Sequence, residues 1–444
     1  MLLRSSKDGR LWDHPLTLTA NGSSYRLHFQ PGMRSGVWAP NYFTQIVRAS
    51  DVRLKVMRRR NTQEGVGGAL VGIRKKTPRE PFTMRVGVTA PITAALDFHG
   101  RDATLTLRDP SKRPKAVVAG RERPLAADFT APLAYYPTVN EFWTGLMGAM
   151  RVSHYMASTG LFMEQPYDPD RIPLVFVHGL ISTPQVWRRV VNGIESDPEL
   201  RGRFQCWIFR YPTGNPVVYS ALRLREELEK ARQLYGMPHG FVLVAHSMGG
   251  LLSRMQATTV DLHAWDQVEG HIADKLFTGL PPDTMIHRAY LFRANPGVQR
   301  IIFICTPHRG SDLASGLIGT IAMHLIGLPG TLAGTIKHSM GDELQIASGY
   351  PHRMPNGITG LSPKSPPLLV MNKLSISAPY HTILGDRGRG DSPNSSDGVV
   401  AYRSSHLDQA LSEKVVPGPH SSCELPETIE ELKRILRLHL KTAR

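Results

Sequence analysis

A serine lies where an apolar run ends between small residues. Residues 242–250 read Val-Leu-Val-Ala-His-Ser-Met-Gly-Gly, so Ser247 follows a strand-like segment and precedes a helix-like one. A hydroxyl that attacks a carbonyl must stand clear of its own backbone, and a sharp strand-to-helix turn achieves this only when its neighbours two positions away are small. Ala245 and Gly249 occupy those positions, and Gly250 lets the helix begin close to the sheet. The pattern predicts that Ser247 is a nucleophile.

Attack by such a serine produces an oxyanion, which two backbone N–H groups usually stabilise. Met248, the residue after the nucleophile, is expected to supply one of them. A second apolar run, from Ile172 to Val177, ends at His-Gly-Leu, and Leu180 is the natural source of the other. Gly179 permits the backbone angle that turns an N–H inward. His178 precedes the serine, so we expect it to be structural and not the base.

The base and the acid should follow the serine in the order Asp, then His. Asp397 stands before a short apolar stretch in Ser-Asp-Gly-Val-Val, and His420 lies on a Pro/Gly loop before the last helix. His420 would accept the proton of Ser247 and return it to the leaving group, while Asp397 would fix the imidazole tautomer. Asp386 is the main rival for the acid. Further competitors nearby are Asp391, His406 and Asp408.

Together with the segment 304–311, which reads Ile-Cys-Thr-Pro-His-Arg-Gly-Ser, these motifs resemble the α/β-hydrolase superfamily of serine hydrolases. The resemblance is closest to bacterial triacylglycerol lipases and GPI inositol-deacylase-like hydrolases, and it covers residues 170–440. It implies that the Asp of Asp-Gly-Val-Val is the triad acid, which supports Asp397. Some of these lipases bind calcium through an Asp after the catalytic His. Two serines follow His420, so calcium is not implied, and neither a metal nor a cofactor is expected.

Strand-like and helix-like segments alternate through residues 166–444, which predicts an α/β-hydrolase fold with a doubly wound, mostly parallel sheet. Catalytic residues would then come from the carboxyl ends of strands. The predicted strands lie near 173–178, 205–210, 241–246, 300–305, 368–372 and 380–384. The predicted helices lie near 184–195, 218–235, 248–260 and 427–440.

The N-terminal part differs in kind. Residues 1–135 contain short alternating segments between turn residues, which predict a smaller β-sandwich-like domain. The alternating segments are 16–19, 25–29, 52–57, 84–88 and 103–107. Residues 136–165 are expected to be a helical connector, because an apolar and aromatic stripe with helical spacing runs through 136–163.

Two insertions are expected to cap the site, near 261–299 and 311–345. The second contains an uncharged, largely apolar stretch at 313–336. We interpret this stretch as a cap or as the wall of an acyl-chain pocket. A transmembrane span is the rival interpretation, since about 20 apolar residues suffice to cross a bilayer.

Composition limits the remaining choices. A chain of 444 residues suits two domains, and its net charge of +16 favours anionic partners, such as an anionic membrane surface. No motif indicates specific nucleic-acid binding. Three cysteines give no disulfide framework. No signal peptide is visible, which leaves the cytoplasm or, if the start is truncated, the cell envelope or the exterior. The oligomeric state stays open.

The sequence therefore predicts a serine ester hydrolase of the lipase/esterase type, which cleaves an ester or lipid substrate through an acyl-enzyme on Ser247. An acyltransferase on the same fold would share that acyl-enzyme, so the sequence does not separate the two activities. A non-catalytic surface-binding protein, in which the basic β domain carries the function, is the alternative from another class.

Overall fold

The computed structural model describes most of the chain. The described residues are 16–30, 37–39, 41–54, 57, 59–84, 86–118, 120–135, 159–180, 182–270, 277, 281–311, 359–388 and 395–442. They group into two compact units. The first holds the described residues of 1–143 with 162–171 and 188–206, and the second holds 159–161, 172–187 and the described residues of 207–444. The domain boundaries expected at residues 135 and 165 stay a prediction.

The first unit is built on β-structure. Before residue 135 its strands are β1 (Leu16–Ala20), β2 (Ser23–Phe29), β3 (Val37–Trp38), β4 (Gln45–Arg48), β5 (Thr62–Gln63), β6 (Gly68–Arg74), β7 (Val88–His99), β8 (Asp102–Arg108), β9 (Lys115–Val118), β10 (Arg121–Pro124) and β11 (Ala127–Asp128). Seven of them form one sheet in the order β1-β2-β8-β7-β6-β4, with β3 paired to β8. Two further ladders join β9 to β10 and β5 to β11. The expected β-rich N-terminal region is confirmed.

Two strand predictions in this region need correction. The segment 52–57 was expected to be a strand, but Val52 ends a 3-10 turn at Ala49–Asp51 and packs beside Val71 in the core. A strand was also expected from residue 84, whereas β7 begins only at Val88, after Gly87 turns the chain at φ +96°. Strands β4 and β6 were not predicted, and the glycines in β6 weaken its strand pattern.

The second sheet carries the α/β pattern. Its strands are β12 (Gly160–Met163), β13 (Ile172–Val177), β14 (Phe204–Arg210), β15 (Phe241–His246), β16 (Val298–Ile304), β17 (Tyr380–Asp386) and β18 (Glu413–Pro417), in the order β12-β14-β13-β15-β16-β17-β18. Pairing is parallel from β13 through β18. Parallel strands buried on both faces read as continuous apolar runs, which is why the sequence located most of them within two residues.

The strand order defines where a ligand should bind. From β13 the chain passes to β14 on one side and then to β15 on the other, so the order reverses between β13 and β15. Open α/β sheets bind ligands at the carboxyl ends of their strands beside such a reversal. Both predicted turns, at Leu180 and at Ser247, follow the strands that flank this point.

Helices separate these strands along the chain. They are α2 (Arg188–Glu195), α3 (Pro198–Arg203), α4 (Val217–Tyr235), α5 (Met248–Arg254), α6 (Leu262–Glu269), α7 (Met285–Tyr290), α8 (Pro366–Lys373), α9 (Tyr402–Ser405) and α10 (Pro426–Thr442), after the short α1 (Ala131–Tyr135) of the first unit. The long α4 and α10 bury residues at helical spacing, such as Leu432, Ile435 and Leu436 in α10.

Several predictions in this sheet are wrong. The segment 368–372 was expected to be a strand but lies in α8, whose first turn carries two prolines; a short apolar run does not distinguish strand from helix. The expected helix 248–260 ends at Arg254. Residues 160–163, expected to continue a helix, form β12, and the half-exposed β18 was missed.

The expected caps are only partly described. Within 261–299 the structure has α6 and α7, where Trp265 packs against Phe277 and Tyr290. Of the segment 311–345 only Ser311 is described, so the apolar stretch 313–336 and its two interpretations lie outside the described residues, as does 136–158 of the expected connector. Among the described helices none is long and apolar enough to cross a bilayer.

Candidate active site

Ser247 lies on a strained turn between β15 and α5. Its backbone has φ +53° and ψ −126°, a region that residues with a side chain rarely adopt. The two glycines that follow have no room for a side chain. A Cβ on Gly249 would lie 2.3 Å from the carbonyl oxygen of Val177, and one on Gly250 would lie 1.9 Å from Oγ1 of Thr306. Small residues therefore allow α5 to begin against the sheet.

The three residues expected to act together lie within hydrogen-bond distance of one another. His420 Nε2 is 2.8 Å from Ser247 Oγ, and His420 Nδ1 is 2.7 Å from Asp397 Oδ2. The Asp397 side chain is only 2 % exposed, whereas that of His420 is 20 % exposed. The arrangement can pass a proton from the serine hydroxyl to the imidazole beside a fixed carboxylate.

A tight turn fixes the second oxygen of Asp397. Its Oδ1 accepts the N–H groups of Val399 at 2.8 Å and Val400 at 2.7 Å. Burial alone would raise the pKa of Asp397, but the hydrogen bond and charge of His420, with these two N–H groups, hold that pKa below its usual range. Asp397 is therefore a carboxylate and an acceptor toward His420.

The residues that were alternatives to Asp397 and His420 make other contacts in the described part of the chain. Asp386 ends β17, where its Oδ1 accepts the N–H of Gly388 at 2.8 Å. His406 bonds to Asp408 at 3.0 Å and to Glu413 at 2.7 Å. Asp391 lies outside the described residues. The structure brings none of the described rivals to Ser247.

The loop after β13 packs directly on the serine turn. A Cβ on Gly179 would lie 2.8 Å from Cβ of Ser247, so the loop that carries Leu180 approaches the nucleophile closely. Leu180 lies in the turn, and Met248 is the first residue of α5. His178 stacks on Tyr211 with ring centroids 4.6 Å apart, and burial lowers its pKa to about 4. A neutral, packed ring suits the structural role expected for His178.

The Thr-Pro-His-Arg-Gly-Ser segment binds backbone carbonyls in the turn that holds Asp397 and in the residues just after it. The sequence did not predict this role. The guanidinium of Arg309 donates to the carbonyls of Arg403 at 2.8 Å and His406 at 2.6 Å. Ser311 Oγ donates to the carbonyl of Val399, whose N–H binds Asp397. The motif was visible in the sequence. Its partners could not be identified from the sequence, because they lie about 90 residues further along the chain.

One cluster of side chains in the described part of the chain has the spacing of a metal site. His246, Cys305 and His420 offer ligand atoms that lie within 4.8 Å of one another. Both ring nitrogens of His420 already have partners, and His246 Nε2 bonds to the His420 carbonyl. Burial raises the pKa of Cys305, which keeps the thiol protonated. This donor set does not fit a cation.

Comparison with known proteins gives a family and several structural relatives. Residues 174–370 match the alpha/beta hydrolase family. Among solved structures, Bacillus licheniformis lipase BlEst2 in mature form is 18 % identical over 62 % of this chain and 97 % of its own, with a TM-score of 0.36. Staphylococcus hyicus lipase is 16 % identical over 62 % of this chain and 97 % of its own, with a TM-score of 0.41. No curated protein matches the chain.

A third structural relative is a thermostable carboxyl esterase from Bacillus coagulans in complex with glycerol. It is 13 % identical over 64 % of this chain and 93 % of its own, with a TM-score of 0.35. The family match over residues 174–370, the parallel sheet and its strand order show an α/β-hydrolase fold in the C-terminal part of the chain.

Proposed function

We propose that this protein is a serine ester hydrolase. The observation that carries the proposal is the chain of hydrogen bonds from Ser247 through His420 to Asp397, with the serine on a strained turn at the reversal point of the sheet. Strain at one non-glycine residue, aligned with a base and a carboxylate, is typical of an activated nucleophile and not of a packed serine.

The mechanism follows from these contacts. Asp397 accepts the Nδ1–H of His420, so the Nε2 lone pair faces the Ser247 hydroxyl. Ser247 Oγ attacks the ester carbonyl while His420 takes its proton, and His420 then protonates the departing alcohol. Water, activated by the same imidazole, hydrolyses the acyl-enzyme and releases the carboxylic acid. Asp397 stays ionised and stabilises the imidazolium in each half-reaction.

Backbone N–H groups would stabilise the tetrahedral oxyanion. Met248 begins α5, so its N–H is not needed within the helix, and the close packing of Gly179 on Ser247 brings the Leu180 turn to the same place. We assign the oxyanion to the N–H groups of Met248 and Leu180. Removal of a single donor of this kind typically lowers kcat by about 10²–10³-fold.

The substrate in this proposal is a carboxylic ester, and a lipid ester is favoured. The basic chain, with a net charge of +16, would be attracted to anionic lipid surfaces. The sequence of residues 313–336, which lie outside the described residues, is uncharged and largely apolar, and this composition favours a substrate with an acyl chain. Hydrolysis of p-nitrophenyl esters of increasing chain length would distinguish a long-chain lipase from a short-chain esterase.

The deciding experiment combines fluorophosphonate labelling with ester turnover. Wild type should be labelled once and should hydrolyse the ester, and Ser247→Ala should lose both, with kcat reduced by about 10⁴-fold or more. Ser253→Ala is the matched control, because Ser253 is fully buried in the same helix, and it should keep both labelling and turnover.

Two other outcomes of this experiment would contradict the proposal of a serine ester hydrolase. If folded wild-type protein were not labelled, the serine hydrolase assignment would be wrong and a surface-binding role would take its place. If labelling occurred but added alcohols captured most of the acyl group in preference to water, the protein would be an acyltransferase on the same acyl-enzyme.

A further inference from the structure

The seven-stranded sheet of the first unit has one face that is apolar across its strands. Residues paired across the strands form two rows on this face. One row runs from Leu96 to Leu105 to Phe29, and the other from Phe98 to Ala103 to Leu27 and Leu16. The opposite face packs under α1 through a separate cluster that includes Val71, Ile73 and Ala131.

This apolar face lines a cavity of about 760 Å³. Its lining comes from β1 and β2 at one side of the sheet and from β6 and β4 at the other, so the cavity crosses the strands. Six strands about 4.8 Å apart span roughly 24 Å. A cavity of this volume lies within the range of small-molecule sites, which are mostly apolar with a few polar groups.

Two observations indicate that the cavity receives a ligand. Gly68 of β6 pairs with Ala94, so both point to the same face, and a Cβ on Gly68 would have no heavy atom within 4 Å. Gly68 is the first residue of β6, so this face has open space where a side chain would otherwise stand. Leu96 and Phe98, which also line the cavity, are 43 % and 57 % exposed. Large apolar side chains left open beside a cavity are typical of a binding site.

The charged residues of the lining are Arg48, Arg60 and Asp128, and Arg48 lies in β4, the edge strand beside β6. Arg60 is paired with the buried Asp128 at 3.1 Å. Arg48 is paired with Asp51 at 3.0 Å, but both side chains are more than half exposed, so this pair is weak and the guanidinium can turn to an anionic ligand. The cavity thus has a long apolar floor and a cationic group at one end.

We propose that this cavity binds one long-chain fatty acid, with the alkyl chain across the sheet and the carboxylate at Arg48. This binding goes beyond the function proposed at Ser247 and does not depend on it. A fatty acid matches the cavity because it pairs a single long apolar chain with one anionic group.

The test is a fluorescence titration of the full chain with cis-parinaric acid, a fatty acid that brightens in apolar surroundings. All variants carry Ser247→Ala, so hydrolysis plays no part. Gly68→Phe should fill the cavity without backbone strain and remove one saturable site per chain. Leu96→Glu, which places a carboxylate in the apolar floor, should weaken that site at least about tenfold. Val86→Glu is the matched control, since Val86 is 49 % exposed and does not line the cavity, and it should bind as the parent does.

A second comparison tests the head group. Arg48→Gln should weaken competition by oleate and leave competition by oleyl alcohol unchanged. The proposal is overturned if the parent has no saturable site, or if both Leu96→Glu and a folded Gly68→Phe bind as the parent does. Displacement of the probe by anionic phospholipid vesicles but not by oleate would also overturn it. Labelling of wild type by a fluorophosphonate in any of these cases would leave the proposal for Ser247 intact.

Discussion

His246 donates its Nε2–H to the backbone carbonyl of His420 across a distance of 2.7 Å. Burial, followed by the positive charge that His420 can carry, lowers the pKa of His246 to about 3, so the ring is neutral at every working pH. Because a carbonyl only accepts, Nε2 must carry the proton. The residue before the proposed nucleophile therefore holds the loop that carries the proposed base.

This bond predicts that His246 positions His420. His246→Leu removes the donor and leaves the His420 carbonyl without a partner from this side chain, so we expect kcat to fall by up to about 10²-fold, with KM little changed. His246→Gln retains an N–H donor and should recover most of kcat. Active-site titration with a fluorophosphonate gives the folded, competent fraction, so kcat per active site separates positioning from misfolding. Equal loss in the Leu and Gln variants would contradict the positioning role.

Asp397→Asn should inactivate the enzyme without disturbing the fold. The amide can donate to Nδ1 of His420, which moves the imidazole proton to Nε2 and prevents it from accepting the proton of Ser247. We expect kcat for a p-nitrophenyl ester to fall by about 10⁴-fold. Asp386→Asn is the control, because an amide oxygen still accepts the N–H of Gly388, and its kcat should stay within a few-fold of wild type. The reverse pattern would make Asp386 the acid.

Gly249→Ala should displace the serine turn. Its Cβ would lie 2.3 Å from the carbonyl oxygen of Val177 and 2.5 Å from that of His178, and backbone atoms cannot move aside as a side chain can. We expect a loss of about 1–3 kcal/mol in the free energy of unfolding, together with lower kcat. Gly202→Ala in α3 is the control, because its Cβ would be 3.6 Å from its nearest neighbour. There a gain of about 0.5–1 kcal/mol is expected from helix propensity. Urea unfolding of both variants measures the difference.

The sequence predicted those parts of the protein that local chemistry determines. The small residues on either side of Ser247 predicted its turn, and continuous apolar runs predicted β13 and β15. The run at 368–372 was misassigned because four apolar residues in a row suit a buried strand and a buried helix equally well. The sequence could not predict the hydrogen bond from His246 to His420. The two residues are 174 positions apart, and the acceptor is a backbone carbonyl, which every residue has.

The stability of the first unit should depend on pH through Glu195. Burial raises the pKa of Glu195 from its ordinary value of 4.5 to about 7, against the opposing charges of Arg171 and Arg201. The folded state therefore keeps the proton of Glu195 between pH 4.5 and 7 while the unfolded chain releases it, so the stabilisation is complete below pH 4.5 and is lost as the pH rises through 7.

Glu195→Gln removes this titration and retains the shape of the protonated acid. A shift of one pKa unit corresponds to about 1.36 kcal/mol. As the pH rises from 4 to 8, the free energy of unfolding of wild type should therefore fall by about 3 kcal/mol more than that of the Gln variant. The two proteins should be close in stability at pH 4. The exposed Glu199, on the neighbouring α3, provides the control, since Glu199→Gln should follow the wild-type pH dependence. Urea unfolding at pH 4, 6 and 8 measures all three proteins. An equal offset between Glu195→Gln and wild type at every pH would mean that Glu195 is ionised in the folded state and balanced by its arginine neighbours.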